Sequence, residues 1–151
     1  MDKGVYRIID ANLNRVMEGI RVSEDIIRFA LDNEKLTRKL KDLRHNIFIA
    51  IRDLRMQHLQ ELVSARDIDD DIGRVTTETE RNKRDLIELF LANTQRGKES
   101  LRVLEEVLKL FDQKLSQKFK RFRFKLYEIE KASVEELEKI RGKRKKKTKT
   151  K

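Results

Sequence analysis

Cysteine, proline and tryptophan are all missing from these 151 residues, and glycine appears only five times. Without cysteine there is no thiolate zinc site, no disulfide framework and no cysteine nucleophile. No segment approaches the roughly 20 apolar residues needed to span a bilayer. The opening MDKGVYRIID also lacks the charged-then-apolar layout of a secretory signal. A cytoplasmic protein with no membrane partner is therefore expected. The sequence holds no Walker A loop, no G-x-G-x-x-G, no H-E-x-x-H and no complete EF-hand pattern. Its two histidines, His45 and His58, stand apart, each reading as a surface or packing residue, and no serine triad has credible members.

What is present in quantity is charge, 42% of all residues. With no proline to interrupt them, such residues describe long helices with charged outer faces, and the length suits a single domain with a real core. The formal charge of +10 is concentrated at the end of the chain: residues 141–151 (RGKRKKKTKTK) hold eight basic and no acidic side chains, which leaves +2 for residues 1–140. The end therefore reads as a disordered basic tail after one all-α domain. Loose RNA or polyphosphate binding is its alternative role.

An internal repeat organises the domain. Shifted by 81 positions, Ala11–Phe29 aligns with Ala92–Leu110, and both copies read A-N-x-x-R-x-x-E-x-x-R-V-x-E. After a two-residue slip, LTRKLKDLRHNIF from Leu36 lies over LSQKFKRFRFKLY from Leu115, with Lys39, Lys41 and Arg44 equal to Lys118, Lys120 and Arg123. Each unit, residues 9–63 and 90–140, is two helices and a turn, predicting a four-helix bundle with a pseudo-two-fold axis. Helices are expected near 4–31, 34–63, 78–111 and 114–140. Ile9, Leu13, Val16, Met17, Ile20, Ile27 and Leu31 form one core stripe, and Leu36, Leu40, Leu43, Ile47, Ile51 and Leu54 another. Phe119, Phe122, Tyr127 and Ile129 belong to the core of the last helix. Asp32 or Asn33 is the expected cap of helix two, Thr77 or Thr79 that of helix three.

The repeated polar series Asn12, Arg15, Glu18, Arg21 and Glu24 admits two readings. One is a ladder of i, i+3 ion pairs. The other is a polar cleft between hairpins, in which asparagine reads a heterocycle and arginine holds phosphate. Arg21 and Arg102, pointing away from the core, fit the ladder better. Between the hairpins runs SARDIDDDIGRVTTETE, where Asp67, Asp69, Asp70 and Asp71 crowd around Gly73. It is either an acidic surface connection or a magnesium and phosphate site.

The segments RIIDANLNRVMEGIRVSEDIIRFAL, LKDLRHNI, SARDIDDDIG, ANTQRGKESLRVLEEVLKL and FKRFRFKLYEIE follow in order across residues 5–131. They resemble a bacterial domain that precedes thiamine phosphate synthase in some fusions and also occurs alone, identified as a hydroxymethylpyrimidine phosphate kinase. The chain leaves no room for the synthase barrel, eight βα units of about 250 residues. The resemblance implies a thiamine-biosynthetic enzyme that uses ATP and Mg²⁺ to phosphorylate a pyrimidine phosphate. Under it, Arg15, Arg96, Arg66, Arg44 and Arg123 hold phosphates, and Asn12 and Asn93 recognise the pyrimidine or orient those arginines. Glu18 and Glu99 orient arginines or assist the metal, and Asp67 and Asp71 bind Mg²⁺. Gly97, Lys98 and Ser100 replace Val16, Met17 and Gly19 in the second copy, so one working site per chain is expected. The remaining apolar helix faces leave room for a homo-oligomer. Two other readings stand beside this one: a noncatalytic partner of thiamine phosphate synthase, and a basic helical RNA-binding protein that uses the tail with Lys118, Lys120, Arg121, Arg123 and Lys125.

Overall fold

A computed structural model describes residues 2–66 and 85–148, with side-chain surroundings to residue 142. Among these residues the structure is all helix. Helix α1 (Lys3–Asp25) starts where Asp2 accepts a hydrogen bond from Gly4 N, and it passes into a π-helical turn, Ile26–Ala30. Asp32, at φ 52°, then reverses the chain, and Asn33 caps α2 (Glu34–Gln57) by accepting from Leu36 N at 3.0 Å. The expected second helix is not continuous: His58 leaves helical geometry, and a short α3 (Leu59–Ser64) follows. Helix α4 (Leu86–Leu108) opens at Asp85, whose carboxylate accepts from Ile87 N and Glu88 N. Its capping residue is thus Asp85; Thr77 and Thr79 lie outside the described residues. Helix α5 (Gln113–Thr148) runs eight residues into the stretch expected to be a disordered tail.

The predicted core stripes are largely buried. Ile9, Leu13, Val16, Ile20 and Ile27 of the first hairpin meet Leu36, Leu40, Leu43, Ile47 and Ile51. Phe90, Leu101, Leu104, Phe119, Leu126 and Ile129 come from the second. Fully burying each such side chain contributes about 1.5–3 kcal/mol. Tyr127 departs from expectation, being 42% exposed beneath the Lys98 ammonium, which lies 4.9 Å above its ring. Helix α1 packs on α4 and α2, and α5 packs on α4 and α2, so the four long helices close a ring around this core. The two hairpins therefore meet twice, at α1 against α4 and at α2 against α5.

The π turn gives physical form to the slip in the repeat. The first copy needs two more residues than the second between its helices. A π turn absorbs one extra residue within a helix, and the Asp32 reversal takes up further length.

Candidate functional site

Asn12 and Gly19 are seven residues apart, nearly two full turns, and share the flank of α1 that faces α4. A Cβ on Gly19 would lie 2.7 Å from the Asn93 carbonyl oxygen and 3.5 Å from Gly97 N. Glycine is needed here because the two backbones touch. Asn12 is buried and Asn93 half-buried. Each donates Nδ2 to the carbonyl four residues earlier, Ile8 and Leu89, at 2.8 Å. The Oδ1 atoms of both amides have no hydrogen-bond partner among the described residues.

Over this crossing lie two matched surface stripes. Ala11, Arg15, Glu18 and Val22 follow a spacing of four, three and four that keeps them on the outer side of α1. Ala92, Arg96, Glu99 and Val103 repeat it on α4. Arg15, Glu18, Arg96 and Glu99 are exposed, and Val22 and Val103 are each 36% exposed. Arg15, Glu18 and Arg96 form no ion pair among the described residues, while Glu99 accepts a hydrogen bond from Gln95 at 2.7 Å.

The predicted ladder therefore splits, its lower half going into the fold. Glu24, 3% exposed, is met by Arg44 at 2.9 Å and Arg21 at 3.5 Å. Glu105, 4% exposed, is met by Arg123 at 2.8 Å and Arg102 at 2.7 Å. Arg44 and Arg123, assigned to phosphate in the sequence reading, tie the two helices of their own hairpin together. Burial opposes the charge of Arg123, yet its pKa is raised, because Glu105 and Tyr127 hold the guanidinium.

Arg66 is likewise engaged. It donates two hydrogen bonds to buried Asp10, at 2.7 and 2.9 Å, and that bonding raises its pKa. Asp10 projects from α1 about 160° away from Asn12 by helical geometry, so Arg66 and the asparagines occupy opposite flanks. Asp67 and Asp71, the expected Mg²⁺ ligands, lie outside the described residues, and among those described no three acidic or histidine side chains converge as a metal site. His45 is exposed, and His58 Nδ1 shares a hydrogen bond with the Tyr6 hydroxyl at 3.0 Å.

The second copy also differs inside. Lys98 Nζ meets both carboxylate oxygens of Glu130 at 2.8 and 2.7 Å, and Thr94 Oγ1 donates to the same group at 2.6 Å. The first copy has apolar Met17 and Leu13 at the positions of Lys98 and Thr94. Lys118, Arg121 and Lys125, named in the sequence as a basic RNA-binding set, gather with Lys39 in a cleft between α2 and α5 that the sequence did not show. Its signal was the equality of Lys39 and Lys118, a repeated charge that core packing does not require.

The ThiD2 family model matches residues 7–132. A thiamine-phosphate synthase of Nostoc sp. is 39% identical over 127 residues, covering 83% of this chain and 34% of that protein. The thiamine-phosphate synthase of Synechocystis sp. is also 39% identical over 127 residues, covering 83% and 35%. That of Rhodopirellula baltica is 38% identical over 135 residues, covering 89% and 34%. The chain thus spans about a third of these relatives. No solved structure gives a significant match. No helix among the described residues is long and apolar enough to cross a membrane.

Proposed function

Since the chain belongs to the ThiD2 family, we propose that it works in thiamine biosynthesis as a kinase of hydroxymethylpyrimidine phosphate, acting at the α1–α4 face. The observation that carries this reading is the matched set of exposed Arg15 and Arg96, without an ion pair among the described residues, beside amides whose Oδ1 atoms lack partners among the same residues. Structural duty explains Arg21, Glu24 and Arg44 and their equivalents. It leaves Asn12, Arg15, Glu18 and the equivalent second-copy set available for a ligand.

In the reaction, an oxygen of the pyrimidine monophosphate attacks the γ-phosphorus of ATP, the bond to the β-bridging oxygen breaks, and ADP leaves with the electron pair. The acceptor is mostly dianionic at neutral pH, its second pKa being about 6. No strong base is required, which suits a face without histidine. Arg15 and Arg96 hold anionic oxygens, Asn12 and Asn93 accept from the aminopyrimidine, and Glu18 and Glu99 orient the guanidinium groups. Asp67 and Asp71 remain the proposed magnesium ligands.

Incubation of the full chain with ATP, Mg²⁺ and hydroxymethylpyrimidine phosphate should yield the diphosphate by mass. Arg15→Ala or Arg96→Ala should reduce kcat/KM about 100-fold, the scale of one lost transition-state contact. Absence of product from the folded parent chain would rule the kinase out. Full activity in both arginine variants would move the reaction away from α1–α4.

A further inference from the structure

The cleft between α2 and α5 lies across the ring from the face just described and has a volume of about 570 Å³. It is built from equivalent positions of the two copies: Lys39 with Lys118, Leu43 with Phe122, Asp42 with Arg121 and Asn46 with Lys125. Where the first copy has an acid and an amide, the second has two further cations. Four cations thus face one lining carboxylate.

These cations are also largely uncommitted. Lys39, Lys118 and Arg121 form no ion pair or hydrogen bond among the described residues, and Lys125 alone is paired, with exposed Glu128 at 2.8 Å. Lys39 is half-buried, and the pKa of Glu128 is lowered mainly by the Lys125 hydrogen bond and charge, with the Lys39 charge adding least. Four cations against the Asp42 and Glu128 carboxylates leave positive charge in excess, and an anion seated among them reduces that repulsion.

The floor of the cleft is apolar. Leu43 is buried, Phe122 is half-buried with its ring edge-on to Phe119 at 5.6 Å, and Ile49 is 46% exposed at the wall. Inorganic phosphate would leave this surface uncovered. The size falls within the usual range for small-molecule sites, and a flat ring on Phe122 with phosphates toward the lysines uses both halves of the chemistry.

We infer that the α2–α5 cleft is a second ligand site, taking a nucleotide-class phosphate ester: its ring lies on Leu43, Phe122 and Ile49 and its phosphates meet Lys39, Lys118 and Arg121. The site stands apart from Arg15 and Arg96, so it holds or fails independently of the proposed reaction.

The test uses the full-length Arg15→Ala/Arg96→Ala chain, which disables the α1–α4 face, titrated with ATP in the absence of metal. Amide shifts in ¹⁵N spectra should localise to residues 39–50 and 118–125, and calorimetry should show one site. Lys118→Glu should weaken binding by about tenfold or more, as expected for loss of a charged phosphate contact, while Lys118→Arg retains it. Unchanged affinity in Lys118→Glu, or shifts confined to other helices, would overturn the assignment. Inorganic triphosphate binding as tightly as ATP would overturn the role of the apolar floor. Binding of single-stranded RNA with none of ATP would replace the nucleotide site with a nucleic-acid surface.

Discussion

Removing the guanidinium of Arg44 strands the carboxylate of Glu24, only 3% exposed, with Arg21 as its remaining partner at 3.5 Å. Arg44→Ala and Arg123→Ala should each lower unfolding free energy by about 3 kcal/mol, since a buried charge loses its partner. Arg21→Ala should cost under about 1 kcal/mol, because that side chain is 53% exposed. Chemical denaturation of the three variants checks the ranking, and equal losses would mean that the hairpins are not held by these pairs. At this scale the sequence was informative about which residues matter and less so about why. Repetition marked Asn12, Arg15, Glu24 and Arg44 alike. Only the fold separates Arg44, turned inward on Glu24, from Arg15, turned outward with no partner among the described residues, because helical position relative to the neighbouring helix decides the role.

The helices themselves were legible because apolar spacing and capping residues act locally. Asn33 caps α2 as its position before an apolar stripe suggests, and the stripes from Ile9 and Leu36 are buried as expected. The π turn and the break at His58 were not legible. The two-residue slip in the repeat signals extra length between the helices but not the π turn that takes part of it up, and no proline or glycine stands near His58 to mark a break. Within α5, Ser133 Oγ is buried with no hydrogen-bond partner among the described residues. Ser133→Ala keeps the Cβ, removes an unsatisfied oxygen and gains helix propensity, so it should raise stability by about 1 kcal/mol. A lowered melting temperature would show that the hydroxyl has a structural partner.

For the whole molecule, the repeat announced four helices in two hairpins, and the ring in which α1 meets α4 and α2 meets α5 agrees with that all-α expectation. Sequence could not show that these two junctions differ in kind. At α1–α4 the backbones touch through Gly19; at α2–α5 lysines and an arginine line a cleft. Each junction brings together equivalent positions of the two copies, Gly19 and Ser100 at the first, Asp42 and Arg121 at the second, so the repeat gives no reason for the two junctions to be alike.

The Gly19 contact also has a meaning in time. Each hairpin is made of contacts close in sequence and can assemble early, whereas the meeting of Gly19 with the Asn93 carbonyl must wait until two preformed hairpins find one another. Gly19→Ala would normally favour an isolated helix, but here its Cβ pushes against a backbone oxygen and should destabilise the protein by about 1–3 kcal/mol. At Gly97 the added carbon meets side chains and no backbone, the end of Leu126 at 3.0 Å and Ile20 at 3.9 Å, and Gly97→Ala should cost less. If hairpin docking follows the rate-limiting barrier, Gly19→Ala will leave the refolding rate almost untouched and appear as faster unfolding. Slower refolding would instead put the crossing of the two hairpins inside the folding nucleus. In stopped-flow terms, one missing side chain at residue 19 sets how long the two halves stay together.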